Sequence, residues 1–331
     1  MLDMPTVDEE TKTRQSKCMA ANYWMTENKY QILELIHQFK SVRSHHIAMH
    51  LPDRHYRGLR HTLRIMTDQG LLQVHKQIYH HSVYQLTDKG KRALQGRDLP
   101  PRYVPVGAGL GLPLNNEWDH AMMVCDLLSN LKAGADRHGI RMISAEEIAE
   151  QATVEKPFAF PTRSTYFSKK LKKNVPKTII PDGFVGFEYA DGKRKYFAIE
   201  AENNKAHSRH DDEDINSNQN STNKKFMAYC DIDMERVFSS LGIRHMQVLV
   251  VAPTPTQIKG KFNAGRKVVE KSWLFLGHWL PTVAGKDVPV LPDLIDAAWL
   301  RIGLDPELIN GYTLRARKRP DHADHREELQ A

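Results

Sequence analysis

The sequence predicts an α/β protein of two units: three helices closed by a β-hairpin, then a larger unit built on a mixed sheet. Three observations predict it. Apolar residues recur at helical steps between Tyr30 and Met66 and switch to strand-like runs between Leu71 and Leu86. Pro100, Pro101, Pro105, Gly107, Gly109, Gly111 and Pro113 crowd one short stretch that neither a helix nor a central strand tolerates, so residues 98–116 read as a linker. Beyond it, strand and helix patterns alternate, which implies a mixed sheet.

Residues 1–27 are polar and unpatterned and read as a mobile arm. In the unit 28–97, Tyr30, Leu33, Leu35, Ile36 and Phe39 mark a first helix, and Ile47, Ala48 and Leu51 a short second one. A longer third helix runs from about Arg54 to Gln69 on Leu59, Leu63, Ile65 and Met66, and Gly70 ends it as a residue tolerant of positive φ. Leu71, Leu72 and Val74 lead into a polar tip from His75 to Ser82, and Val83 to Leu86 returns as the second strand. Thr87 is the expected N-cap of a last helix through Leu94. Three helices followed by a hairpin is the layout of a winged helix-turn-helix.

The unit 117–312 opens with a helix from Trp118 to about Arg137, on Met122, Val124, Leu127, Leu128 and Leu131, and a strand at Arg141 to Ile143. A lysine-rich stretch leads to Thr178. There the pattern becomes TIIPDGFVGFEY, the turn Ala190 to Lys193, and RKYFAIEAE, which is a hairpin. Residues 203–223 are nearly all polar and read as a loop before a helix from Lys224 to Leu241. The run from Met246 to Pro253 reads as a buried strand, and KSWLFLGHWL as another after a helix. The tail 313–331 is expected to be disordered.

With 331 residues, 40% of them hydrophobic, the chain can bury a core in two domains of ordinary size. Lys and Arg number 47 against 40 Asp and Glu, and the pI near 9.1 suits a polyanionic partner. Cys18, Cys125 and Cys230 lie too far apart for a disulfide framework or a zinc motif, so a cytoplasmic location is expected. The N-terminus lacks the apolar core of a signal peptide, and no apolar run reaches the ~18 residues of a membrane span, so no membrane insertion is expected. Gly-rich phosphate loops and internal repeats are absent.

Nucleic acid is the partner that the third helix suggests. Arg54, Arg57, Arg60, His61 and Arg64 recur at three- and four-residue steps opposite Leu59, Leu63 and Met66, forming a cationic stripe. Such a helix fits the major groove of duplex DNA. Between Asn28 and Arg97, twelve Lys and Arg stand against four Asp and Glu, a surplus suited to phosphates. Lys76, with His75 and His80, would let the hairpin tip touch the backbone. Lys169, Lys170, Lys172, Lys173 and Lys177 form a second basic segment that would track DNA.

Chemistry is suggested by acids on the larger unit. Alternation along a strand points Glu200 and Glu202 to one side and Ile199 and Ala201 to the other, and the paired strand begins near Asp182. Three carboxylates converging at one sheet edge repel unless a cation joins them. Such a trio is suited to Mg²⁺ or Mn²⁺ near a scissile phosphate. A His-hydrophobe-His metal motif does not occur among the 17 histidines. Tyr166 and Tyr229 are conceivable nucleophiles, but a metal-activated water needs fewer assumptions.

Pro181-Asp182 followed by Glu200-Ala201-Glu202 resembles the PD-(D/E)XK nuclease superfamily, the fold of many restriction endonucleases. The resemblance implies that Asp182 and Glu200 bind metal and that Glu202 stands where lysine is usual, as a further ligand or as the base. The lysine then comes from elsewhere: Lys205, or Lys224 or Lys225 at the next helix start, with Lys225 preferred beside Phe226 and Tyr229. A winged helix, a linker, Asp119-His120 opening a helix, then the two acidic motifs resembles the replication-relaxation family and the MobC-type relaxases of mobilisable plasmids. That resemblance implies nicking at a plasmid transfer origin in double-stranded DNA, in company with other relaxosome proteins and a coupling protein. His120 would contact phosphate or metal, or cap the helix, and Glu146 or Glu147 would add a carboxylate. The alternative function is a DNA-binding regulator of plasmid replication or transfer that does not cut.

Overall fold

A computed structural model of the chain describes residues 25–75, 82–97, 118–150, 162–168, 172–202, 222–232, 243, 245–280 and 293–310. The expected arm up to residue 24, the linker, the tail, the hairpin tip with Lys76, and Lys169, Lys170 and Lys205 lie outside the described residues.

The first unit comprises α1 (Glu27–Phe39), β1 (Val42–Arg43), α2 (Ser44–His50), α3 (Tyr56–Asp68), β2 (Leu72–His75), β3 (Val83–Leu86) and α4 (Asp88–Gln95). Amphipathic spacing buries Ile32, Leu33, Ile36 and Phe39 of α1 against Leu59, Leu63 and Met66 of α3. Gly70 takes φ 70 after α3, and the Thr87 hydroxyl accepts from the Gly90 amide to cap α4, both as the sequence predicts. The hairpin β2–β3 is antiparallel, and β1 adds a third strand on β3. A strand of two residues carries no readable periodicity, so the sequence does not announce β1.

The third helix starts later than the sequence suggests, and Arg54 is not on it. Arg54 lies in the turn whose amide bonds back to the Leu51 carbonyl, and His55 is the N-cap, its ring accepting from the Arg57 amide. That local hydrogen bond starts the helix two residues beyond the point that the arginine spacing suggests.

At Gly90 a side chain has no room. A Cβ built there would lie 2.3 Å from the Leu71 carbonyl oxygen, which already accepts from the Thr87 amide and hydroxyl. In a free helix, Gly90→Ala would gain about 1 kcal/mol of propensity. Here the clash with backbone outweighs it, and we expect a net loss of about 1–3 kcal/mol in urea unfolding.

The second unit holds α5 (Trp118–Arg137), β4 (Arg141–Ile143), α6 (Ala145–Glu150), β5 (Thr162–Ser168), β6 (Lys173–Ile179), β7 (Gly183–Glu188) and β8 (Arg194–Ala201). It continues with α7 (Thr222–Asp231), β9 (Met246–Ala252), α8 (Pro255–Gly265), β10 (Phe275–Trp279) and β11 (Leu300–Arg301). The main sheet runs β11-β10-β9-β8-β7-β4. Its centre, β8-β9-β10, is parallel, while β4, β7 and β11 pair antiparallel, so the sheet is mixed as predicted. No helix among the described residues is long and apolar enough to cross a membrane.

Alternation sorts this sheet into two cores. Val185, Phe187, Phe197, Ile199, Leu249 and Val251 face α5 and share one apolar cluster with α1 and α3 of the first unit. Phe184, Ala198, Val248, Val250 and Phe275 face α7 and α8. Thr178 and Ile179, expected on the catalytic hairpin, belong instead to β6, which among the described residues pairs with β5 alone. The β5–β6 ribbon escapes a reading of the sequence because Lys, Ser, Thr and Asn dominate it and break any apolar alternation.

Candidate active site

The hairpin β7–β8 brings Asp182, Glu200 and Glu202 together at one end of the sheet. Gly183 pairs with Ile199, and the Asp182 amide donates to the Ile199 carbonyl at 2.9 Å, so the register carries Asp182 opposite Glu200. Its carboxylate then accepts from the Ala201 amide at 2.8 Å, tying the two strands. Glu202 continues the line of β8, its amide bonding the Val251 carbonyl. Glu200 and Glu202 are 2% and 3% exposed, so both carboxylates need partners within the protein.

Those partners come from α7 and α8. Lys225 donates to Glu200 at 2.6 Å and to Glu202 at 3.0 Å, and Tyr229, one turn later, donates its hydroxyl to Glu200 at 2.6 Å. Lys225 and Tyr229 share a helix face at a four-residue step, which is why one helix can serve both. Buried Lys261 on α8 donates to Glu202 at 3.1 Å and to the Thr222 hydroxyl, which itself donates to Glu202. Both oxygens of Glu202 are therefore engaged. Lys225, preferred from the sequence, is in place; Lys261 was missed because nothing local marks a lysine that pairs across 59 residues.

His120, in the first turn of α5, places Nε2 3.0 Å from the other oxygen of Asp182. The Asp182 hydrogen bond raises the His120 pKa, against the lowering effect of burial. Burial alone would raise Asp182, but the His120 bond and the charges of His120 and Lys225 hold its carboxyl below the usual range. Glu200 is different. Burial, reinforced by the charge of Asp182, lifts its carboxyl to about 7 despite Lys225. Lys225 is raised by its carboxylate neighbours against its own burial, and Glu202 is lowered, against burial, by the two lysines.

Two neighbouring acids, Glu200 buried and Asp182 partly so, form an oxygen donor set suited to a hard divalent cation. Asp182 and Glu200 fit that requirement. Glu202, with both oxygens bonded to ammonium groups, fits an anchor for Lys225 and Lys261 better than a ligand. Elsewhere, His46, Cys125 and Asp126 come close enough to hold a metal, but Arg43 already brings a positive charge 3.5 Å from Asp126. Exposed His138 lies between Asp293 and Asp296 as an ordinary ion-pair group. The sequence candidates Glu146 and Glu147 diverge: Glu147 pairs with Arg141, whereas burial raises Glu146 to about 6.

On α3, Arg57, Arg60, His61 and Arg64 are exposed along one face, opposite buried Leu59, Leu63 and Met66. None of these arginines pairs with an acid among the described residues, so their charge faces outward. Lys172 and Lys173, at the turn end of the β5–β6 ribbon, are likewise exposed. Replacing Arg57, Arg60 and Arg64 together by alanine is expected to weaken duplex DNA binding and to lower the slope of log affinity against log salt by about 3. Fluorescence anisotropy at several salt concentrations measures it, and an unchanged slope excludes this face from the phosphate contacts.

A family model described as Replication-relaxation matches residues 33–217, more than half of the chain, and spans the α3 stripe, Asp182, Glu200 and Glu202. No curated protein and no solved structure matches the chain.

Proposed function

Because the chain belongs to the replication-relaxation family, we propose that it binds plasmid DNA and nicks one strand in replication or mobilisation. In this reading the first unit works as a winged helix-turn-helix that lays α3 in the major groove. The mixed sheet works as a PD-(D/E)XK nuclease core of the MobC relaxase kind, acting at a transfer origin beside other relaxosome proteins and a coupling protein. The observation that carries the proposal is the cluster itself: Asp182 and Glu200 at the sheet end with Lys225 2.6 Å from Glu200. A structural ion pair needs one acid and one base. Here three acids, Asp182, Glu200 and Glu202, converge with Lys225, Lys261 and His120 in one place, more than a single structural pair requires, and Asp182 and Glu200 offer neighbouring oxygens to a cation.

Asp182 and Glu200 would hold Mg²⁺ or Mn²⁺, which when bound supplies Lewis-acid stabilisation of phosphate charge and a more acidic water. The remaining work belongs to the side chains. Lys225, 22% exposed, turns its ammonium towards the phosphate and stabilises the charge that develops on the non-bridging oxygens. Glu202 fixes Lys225, and Lys261 fixes Glu202 from behind, so the ammonium is positioned before DNA arrives. His120 keeps its proton towards Asp182 and orients that carboxylate, acting as a positioning residue. Lysine thus reaches the site from α7 instead of from the strand position that Glu202 occupies. Lys172 and Lys173 would steady the backbone of the strand leaving the site.

The test is a nicking assay. Purified protein with Mn²⁺ is expected to convert supercoiled plasmid carrying its own replicon's origin to open circles, with none formed in excess chelator. Binding without any open circle, in either cation, would favour the regulator that does not cut.

A further inference from the structure

The two faces of the β5–β6 ribbon differ in character. Residues alternate along each strand and directly paired residues share a face, so the register puts Ser164, Val175 and Ile179 on one side. That side packs on the protein. Ser164 is buried and donates its hydroxyl to the Ala228 carbonyl of α7 at 2.8 Å, and Val175 and Ile179 pack in the apolar cluster that includes Phe226 and Tyr229. The other side carries Phe167, Asn174, Pro176 and Thr178, all exposed. Phe167 and Ile180, at 56% and 57%, are the two most exposed large apolar side chains among the described residues, and both belong to this segment. A single exposed apolar residue is ordinary on a protein surface. The setting of Phe167 is not, because from Thr162 to Ile180 the sequence holds six Lys or Arg and no Asp or Glu. Lys172 and Lys173 follow Phe167 around the turn end, with Lys173 paired to the adjacent Ser168, and both are exposed. An aromatic ring among cations suits a nucleic-acid strand. A duplex keeps its bases stacked on one another, so a ring on the surface finds a stacking partner only where a base is unpaired.

We propose that the outer face of this ribbon binds single-stranded DNA, with Phe167 stacked on an unpaired base and Lys172 and Lys173 on the phosphates beside it. Two attachments tie the ribbon to the candidate active site. Ser164 bonds the Ala228 carbonyl, and exposed Thr165 donates its hydroxyl to Asp231 at 3.1 Å, both on α7, the helix that carries Lys225 and Tyr229. At its other end β6 passes through Ile180 and Pro181 directly into Asp182. Five register steps separate Phe167 from Thr162, so the ring stands about 17 Å along the ribbon from the end that leads to Asp182. A strand opened at the site therefore meets an aromatic ring and two ammonium groups on a support held by the site's own helix. The proposal deepens the nicking function argued above and rests on it for its purpose, but single-strand binding is measured without cutting.

The probes are a fluorescent oligothymidine and a duplex of the same length, titrated with the full chain in chelator and followed by anisotropy. Wild type is expected to bind the single strand. Phe167→Ala should weaken that binding about 10-fold and leave duplex affinity within about twofold, since α3 holds the duplex. Phe167→Trp should keep single-strand affinity, whereas Phe167→Leu, which has apolar bulk but no ring, should lose about as much as alanine. Replacing Lys172 and Lys173 together by alanine should lower the single-strand slope of log affinity against log salt by about 1.4, or about 0.7 for each phosphate contact. Wild-type affinity for oligothymidine in Phe167→Ala would overturn the proposal, as would no single-strand binding by the wild type. An equal loss on duplex and single strand would do the same, by making the ribbon a general backbone contact. Wild-type affinity in Phe167→Leu would overturn stacking. Absence of nicking by the wild type would overturn the function alone, and the Phe167 series would still decide what the ribbon binds.

Discussion

Replacing Lys225 by methionine is expected to cut the nicking rate by about 10²-fold or more and to destabilise the fold by about 3–5 kcal/mol at pH 8. Methionine keeps the length and loses the charge. Glu200 and Glu202, each 3% exposed at the side chain, would then face each other with Asp182 close by. Lys261 would still compensate Glu202 but does not reach Glu200. The pH dependence follows from the sign of the Glu200 shift. Its carboxyl is raised from 4.5 to about 7 in the folded state, so the folded protein holds the proton more tightly than the unfolded chain. Such a group weakens folding as pH rises from the unfolded value through the folded one. Without Lys225 the folded value rises further, so the variant should be only mildly destabilised at pH 5.5 and strongly at pH 8. Urea unfolding at both pH values measures this, and equal losses at both would show that Lys225 does not neutralise Glu200.

Glu200→Gln is expected to separate chemistry from folding. The amide is almost the same size and can still accept from Tyr229, while the buried negative charge is gone. Stability should hold or rise and DNA affinity should stay within about twofold, but nicking should fall about 10³-fold because a cation loses one of two carboxylates. Calorimetric titration with Mn²⁺ gives a further check. A carboxyl that titrates near 7 must release its proton to bind a cation, so wild-type affinity should weaken as pH falls below about 7. In Glu200→Gln that pH dependence should largely vanish. A Mn²⁺ affinity equal to wild type in the variant would remove Glu200 from the cation site.

Much of this arrangement is legible in the residues, and the illegible part has a common physical cause. Alternation along RKYFAIEAE places Glu200 and Glu202 on one face, because a strand has a period of two and Ile199 and Ala201 must reach the opposite core. Gly70 and Thr87 announce their turn and cap through local chemistry alone. Lys261 announces nothing about the site, since it meets Glu202 only when distant segments pack, and Tyr229, a conceivable nucleophile from the sequence, is a hydrogen-bond donor to Glu200. The β5–β6 ribbon is hidden for another reason: the face it turns to α7 carries Ser164 as well as Ile179, so burial there imposes no apolar alternation. Arg54 misleads because the arginine spacing continues past the point where His55 caps the helix.

In the proposed function two surfaces divide the work. The α3 stripe is exposed and unpaired with acids among the described residues, as a surface for holding DNA requires. The cluster at the sheet end is largely buried and sets Asp182, Glu200 and Glu202 against Lys225, Lys261 and His120, as the proposed bond-breaking site would require. A protein that only bound DNA would need the first and would gain from losing the second, since replacing buried ionic groups by apolar ones is often stabilising.

The most direct measurement is therefore single-turnover nicking of supercoiled origin plasmid in Mn²⁺, with wild type and Asp182→Asn compared at saturating protein. Open circles are expected from the wild type, with about 10³-fold slower conversion by Asp182→Asn at equal DNA occupancy. Equal rates for the two proteins would contradict a cation site built on Asp182 and Glu200.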